Sequence, residues 1–274
     1  MTLFIAIAGV AGRMGGALIR AANEATEEVR VVGGTERAGS PALGKDIGAI
    51  AGRPPLGVLA AHDVHAAAAN ADIWIDFTAP EASLAALDAL DGTKVRASII
   101  GTTGLSPDQE AKVAKAADRI AIVRSGNFSL GVNLLASLVR EAAAKLGEGW
   151  DIEIVESHHH RKIDAPSGTA LLLGEAAAQG RGKALSELRL GPRDGVTGIR
   201  PHGGIGFAVI RAGGIVGEHE VVFGAEREVV TLSHKALDRA VFADGALTAA
   251  IWAAGKPPGL YSMADVLGLP RLAR

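Results

Sequence analysis

The chain has 274 residues, 48% hydrophobic and 21% charged, enough to fill the core of one large domain or of two smaller ones. Its formal net charge of -2 excludes a general electrostatic attraction to nucleic acid or an anionic membrane, so any anion binding must be local and the partner small. With no cysteine, disulfides, thiolate zinc sites and thiol nucleophiles are excluded together, and a cytoplasmic setting is expected.

The stretch "MTLFIAIAGVAGRMGG" is apolar but lacks a basic leading segment and is broken by glycines, so it reads as a strand and turn rather than a signal peptide. No apolar run reaches the roughly 18 residues of a membrane span. Leu3 to Ala8 predict a buried strand, and "MGGALIRAANEA" has helical spacing just after the glycine turn. Val29 to Val32 and Ile73 to Phe77 are the next strands, the second followed by a helix starting at Pro80 and Glu81. Ser106 and Gln109 are spaced as a capping box, with Pro107 at the first helical position. "IAIVRSGNFSLGVNLLASLVREAAAKLG" adds a strand, a loop and a long helix. Strands alternating with helices predict a doubly wound parallel sheet.

Beyond Trp150 the texture changes. "WDIEIVES" alternates with a period of two, and from Gly206 three β-rich runs separated by "AGG" and "GAER" predict an antiparallel meander. Residues 180–204, rich in Gly, Pro and Arg, read as a loop or arm. From Ala240 the pattern is helical again and is expected to rejoin the first domain. The expected fold class is α/β: a Rossmann-like doubly wound parallel domain with an inserted α+β domain built on a mixed or antiparallel sheet.

Gly9, Gly12 and Gly15 lie between the first strand and its helix, with Ala11 where the usual dinucleotide fingerprint has its middle glycine. Glycines there let the backbone turn tightly and approach a pyrophosphate, whose charge faces the helix N-terminus. A plain tight turn is the competing reading. After the second strand, Glu36 can accept hydrogen bonds from a ribose diol and Arg37 can pair with a 2′-phosphate, so either NADH or NADPH is expected as cofactor. The strand ends "DFTAPE", "GTTG" and "SGNFS" are small and polar, as loops at the carboxyl edge of such a sheet should be.

"ESHHHRKIDAPSGTALLLGEA" holds three histidines, an arginine and a lysine in succession before a helix opened by Ser167, Gly168 and Thr169. Zinc would need three or four ligands converging on one point, whereas successive residues of an extended chain point apart and no cysteine completes a set, so no metal site is expected. A solvated basic strand end is a second possibility. The third uses every feature: imidazole and ammonium groups exchange protons, while the helix start offers amides and a hydroxyl to a carboxylate or phosphate. The strand is expected to end near Ser157, with the histidines in an irregular loop.

These stretches, with "IAGVAGRMG", "IDFTAPE", "IGTTGL", "SGNFSLGVN", "IGFAVIRAGGIVGEHEVVF" and "LSHKALDRAVFADGAL", span nearly the whole chain and resemble the 4-hydroxy-tetrahydrodipicolinate reductase (dihydrodipicolinate reductase) family of lysine and diaminopimelate biosynthesis. The resemblance implies a dinucleotide-binding domain of residues 1–128 with 240–274, and a substrate-binding and oligomerisation domain of residues 129–239. It implies reduction of 4-hydroxy-tetrahydrodipicolinate, a small dicarboxylate, by NADH or NADPH with loss of water. His158 then matches a proton donor or acceptor and Lys162 a proton donor. His159 matches a substrate contact, and Gly168 with Thr169 a carboxylate cradle. Gly9, Val10, Ala11, Gly12, Arg13 and Met14 match the pyrophosphate turn, Glu36 the ribose ligand and Arg37 the 2′-phosphate contact. Gly101, Thr102 and Thr103, with Ser125, Gly126, Asn127 and Phe128, match the loops beside the nicotinamide. A homotetramer built through the second sheet is also implied. Two other functions stay open: an oxidoreductase of the same architecture acting on another small acid, and a nucleotide-binding sensor without turnover.

Overall fold

The computed structural model describes residues 2–25 and 29–271. In chain order the elements are β1 (Leu3–Ala8), α1 (Arg13–Glu24), β2 (Val29–Thr35), α2 (Ile47–Ile50), α3 (Val64–Ala68), β3 (Ile73–Asp76), α4 (Pro80–Ala89), β4 (Ala97–Ile100), α5 (Pro107–Ala116) and β5 (Ala121–Arg124). Next come α6 (Leu130–Leu146), β6 (Asp151–His158), α7 (Gly168–Gly180), α8 (Leu185–Leu188), β7 (Ile205–Arg211), β8 (Gly217–Gly224) and β9 (Val229–Ala236). The chain closes with α9 (Ala240–Ala253), β10 (Gly259–Tyr261) and α10 (Met263–Leu267). Two compact units result, Met1–Ser129 with Ala240–Val266, and Leu130–Arg239 with Leu267–Arg274. Residues 267–271 thus group with the second unit, where the Arg140 guanidinium donates to the Arg271 carbonyl at 2.7 Å. No helix among the described residues is long and apolar enough to cross a membrane.

The first unit is a six-stranded sheet in the order β10-β5-β4-β3-β1-β2. Its pairings are all parallel, which is why its strands read as continuous apolar runs: both faces are covered. Ala6, Trp74, Ile100 and Ile122 pack with α3, α4 and α5 residues such as Ala68, Leu87 and Val113. Their neighbours Ile5, Ile7, Ile73, Ile75 and Ile99, fully or almost fully buried, face the opposite side by the two-residue period of a strand. On that side α9 meets β3, β4 and β5 and packs on α1, its small residues Ala243, Ala246 and Ala250 being fully buried. The capping box forms as spaced, with Gln109 N–H donating to Ser106 Oγ and the Gln109 side chain accepting from Ser106 N–H. Strand order reverses at β1, flanked by β2 and β3, so the loop after β1 sits at the switch point where open α/β sheets bind ligands.

The second unit has a four-stranded mixed sheet in the order β7-β6-β8-β9. The expected meander is corrected here: β8 and β9 form an antiparallel hairpin, but β6 lies between β7 and β8, parallel to β7 and antiparallel to β8. Alternation along a strand fixes which side chains face the core and leaves the neighbour undetermined, so the run after Gly206 could not reveal the intervening strand. One face packs on α6 and α7 through Ile152, Ile154, Val221 and Phe223 against Leu135, Val139, Leu173 and Ala177. The connection from Arg211 to Gly217 passes over the end of β6 and fastens it, Ala212 N–H donating to His158 O at 2.9 Å and His159 N–H to Ile215 O at 2.8 Å. The strand therefore runs one residue further than expected, through His158, and only His159 onward is irregular.

Candidate active site

In the first unit, the turn after β1 is made possible by Gly9, whose φ of 68° suits a residue without a side chain, and by Gly15, where a Cβ would lie 2.2 Å from Gly9 O. That close approach brings α1 onto the strand. Gly12 caps α1 without a side-chain hydrogen bond, so Arg13 and Met14 begin the helix with N–H groups directed outward from its positive end. Ala11 N–H donates to Glu36 Oε2 at 3.1 Å and Arg37 N–H to Glu36 Oε1 at 3.1 Å, which brings the acidic residue against the turn. Arg37 is exposed beside it. A side-chain-free helix start beside a carboxylate fits the diphosphate and ribose of a dinucleotide.

The later strand ends gather at the same carboxyl edge. Gly101 admits the Phe77 ring, which a Cβ at that position would meet at 2.0 Å. Thr103 and Gly126 are exposed, and Ser125 donates its hydroxyl to Asn127 O at 2.7 Å, shaping the loop. Three expected cofactor residues turn their side chains inward. Val10 is fully buried, Thr102 hydrogen-bonds Ser83 at 2.7 Å within the core, and Phe128 packs edge-on against Phe77 at 5.2 Å. What those three offer a ligand is main chain.

In the second unit the centre of the constellation is a residue the spacing did not single out. Glu156 shows no exposed surface, yet its carboxylate accepts from Arg211 Nη1 at 2.7 Å and Nη2 at 2.8 Å, from His158 Nδ1 at 2.6 Å and from Ser167 N–H at 2.9 Å. Burial alone would raise its pKa; the Arg211, His158 and Ser167 hydrogen bonds, with the charge of His158, together outweigh that, and the group is held below the usual carboxylate range. Ser167 caps α7, its Oγ accepting from Ala170 N–H at 3.1 Å, and Gly168 and Thr169 take the first helical positions. Lys162 pairs with Asp164 at 2.8 Å, and Arg211 also donates to Asp164 O at 2.7 Å. His159 Nε2 lies 3.0 Å from Arg239 Nη2, and desolvation, followed by the Arg239, Arg161 and His158 charges, pushes its pKa down. The adjacent histidines thus have separate partners, a carboxylate for His158 and a guanidinium for His159.

His219 on β8 is 3% exposed, 3.0 Å from Ser167 Oγ and edge-on to the His158 ring with centroids 5.2 Å apart. Desolvation first, and then the charge of His158, lowers its pKa from 6.5 to about 4. The fold accordingly holds it neutral, whereas the unfolded chain takes up its proton near the ordinary value. Its contribution is present above pH 6.5 and is lost as pH falls toward 4, by on the order of 3 kcal/mol. Urea unfolding across that range should show the wild-type protein losing more stability on acidification than His219→Gln; parallel curves would contradict the assignment.

Glu156, Arg211, His219 and Arg239 escaped the sequence reading. For Glu156 a signal existed, since it follows Ile152 and Ile154 at the same inward parity, where a carboxylate calls for partners. The other three come from distant segments.

Family models agree with this architecture: that for "Dihydrodipicolinate reductase, N-terminus" matches residues 3–128 and that for "Dihydrodipicolinate reductase, C-terminus" residues 131–267. The chain is 54% identical over 263 residues to the 4-hydroxy-tetrahydrodipicolinate reductase of Rhodopseudomonas palustris (strain BisB18), covering 96% of each chain. It is 54% identical over 266 residues to that of Parvibaculum lavamentivorans, covering 97% of each. Among solved structures, a dipicolinate-bound dihydrodipicolinate reductase from Paenisporosarcina sp. TG-14 shares the fold with a TM-score of 0.75 at 24% identity, across 97% of this chain and 99% of that one. By sequence over nearly its whole length and by fold, the chain belongs to the dihydrodipicolinate reductase family.

Proposed function

We propose that the protein reduces 4-hydroxy-tetrahydrodipicolinate to tetrahydrodipicolinate, a step of diaminopimelate and lysine biosynthesis, using NADH or NADPH. The observation that carries this reading is the 54% identity, over 96% of both chains, to a relative with that named activity. The site fits it: a proton-handling His158 and Lys162 precede a helix start able to bind a carboxylate. Gly168 and Thr169 would hold one substrate carboxylate through their amides, and His159 beside Arg239 adds positive potential for an anionic ligand. His158 and Lys162 would hold and deliver the proton that, with one hydride, balances the loss of water.

Gly9 to Met14 would hold the pyrophosphate of the cofactor, Glu36 a ribose and Arg37 a 2′-phosphate, with Gly101 to Thr103 and Ser125 to Phe128 beside the nicotinamide. When bound, the reduced nicotinamide supplies the hydride. Glu36 and Arg37, side by side, support acceptance of both cofactors. The same reading includes a cytoplasmic setting, a dinucleotide-binding role for the first unit, and a homotetramer through the second unit's sheet. Exposed Val209 and Ile210 on β7 and Val229 and Val230 on β9 support that assembly, both being edge strands.

Purified protein should oxidise NADH and NADPH only when 4-hydroxy-tetrahydrodipicolinate is supplied, and paired KM values for the two cofactors would measure the preference. Cofactor binding without turnover would favour a sensor, and turnover confined to another small acid would favour a different oxidoreductase.

A further inference from the structure

We propose that Glu156 is a positioning residue for this active site, a buried carboxylate that fixes the His158 ring and the amide-bearing start of α7 in one frame. The inference rests on the functional reading above. Its basis is how the two carboxylate oxygens are shared. Oε2 accepts from His158 Nδ1 at 2.6 Å and Arg211 Nη1 at 2.7 Å, while Oε1 accepts from Ser167 N–H at 2.9 Å and Arg211 Nη2 at 2.8 Å. The guanidinium fork spans both oxygens and so fixes the carboxylate plane. One oxygen then points at the imidazole and the other at the residue that caps α7. Since Gly168 and Thr169 follow Ser167 directly, the distance between proton-handling ring and carboxylate cradle is set through a single side chain.

The chemistry of His158 follows from the same contact. An ionised carboxylate only accepts hydrogen bonds, so Nδ1 must carry a proton, and Nε2 is left as the nitrogen that gains and loses one. Nε2 lies beside Gly217, where a Cβ would sit 3.2 Å away, so the absence of a side chain there leaves that nitrogen room. The charged and titratable groups around the pair are Arg211 from β7, His219 from β8 with His234 of β9 behind it, and His159, Lys162 and Asp164 from the segment between β6 and α7. Stability alone gives little reason for the arrangement, because a buried ion pair is commonly no better than apolar side chains of the same volume.

The test is Glu156→Gln, which keeps the shape but removes the charge and one acceptor. Expected are a fall in kcat on the order of a hundredfold, little change in KM for the nicotinamide, and a displaced pH profile. In a His158→Ala background the same change should lower kcat no further. A wild-type pH profile and kcat in Glu156→Gln, or an equal loss in both backgrounds, would overturn the proposal. Should the variant fail to fold, 15N-detected spectra of the intact wild-type protein decide: a proton resident on His158 Nδ1 from mildly acid to alkaline pH is expected, and a neutral ring carrying it on Nε2 refutes the assignment. Absence of wild-type turnover would instead fail the functional reading, which the tautomer measurement does not depend on.

Discussion

Alanine at His158 or at Lys162 is expected to lower kcat by about 10²–10⁴-fold, the range in which positioned proton transfer contributes to a rate. Both side chains belong to the second unit, whereas the glycine turn and Glu36 belong to the first. Nicotinamide affinity should therefore survive, so that KM for NADH changes little while kcat collapses. Loss of affinity in proportion to loss of rate would show that the substitutions had disturbed the fold instead. The two variants are not expected to add, because they act on one proton inventory: the double variant should be scarcely slower than the worse single one. Steady-state rates from nicotinamide absorbance, with both substrates varied, check all of this, and unchanged turnover in both single variants would dismiss the roles assigned.

Arg211→Leu is expected to have the largest effect on stability, about 3–5 kcal/mol. It leaves Glu156, with no surface exposed to water, holding only His158 and the Ser167 amide. In the wild-type fold the Glu156 pKa is lowered, so this carboxylate contributes stability above its ordinary value of 4.5 and loses it as pH falls. Without the guanidinium the lowering is weaker and burial, which favours the protonated carboxyl, counts for more, so the variant has less of this stability to lose as pH falls. The gap between variant and wild type should therefore narrow toward acid pH. Thermal unfolding at neutral pH should show a melting temperature lower by on the order of 10 °C. A gap independent of pH would mean that Arg211 serves by packing and not by charge. Glu156→Gln should be milder, since the Arg211 side chain it leaves behind is still 19% exposed and can find water.

What the chain revealed by itself divides along the range of the interactions. The Ser106–Gln109 box, Pro107 at a helix start and the Leu3–Ala8 strand are decided within a few residues, and the structure has them as spaced. The uninterrupted apolar strands of the first unit, alternating with helices, implied a parallel sheet covered on both faces, and it is. The place of β6 between β7 and β8 was hidden, because pairing is settled by partners far along the chain. The same holds for the site. His158, Lys162, Gly168 and Thr169 lie in one contiguous segment and were recognisable together, whereas Arg211 and His219 reach that segment from 55 and 52 positions away. Glu156 stood in full view at an inward position, but only its partners explain why a charge can remain there. The cofactor loops show the reverse. Thr102 and Phe128 sit where their segments suggested, yet their side chains serve the core.

A strand paired along both edges parts only when two ladders break, whereas β7 and β9 are each held by one. Fraying of the second unit therefore begins at its margins, and loss of β9 leaves β6 still bonded to β7 and β8. Glu156 on β6 and the His219 imidazole on β8 are paired on both sides and occupy the part of the sheet that opens last, whereas the guanidinium that holds the carboxylate is carried by the β7 margin. Transient breathing at the β9 rim is thereby kept away from the carboxylate against which the His158 ring is set.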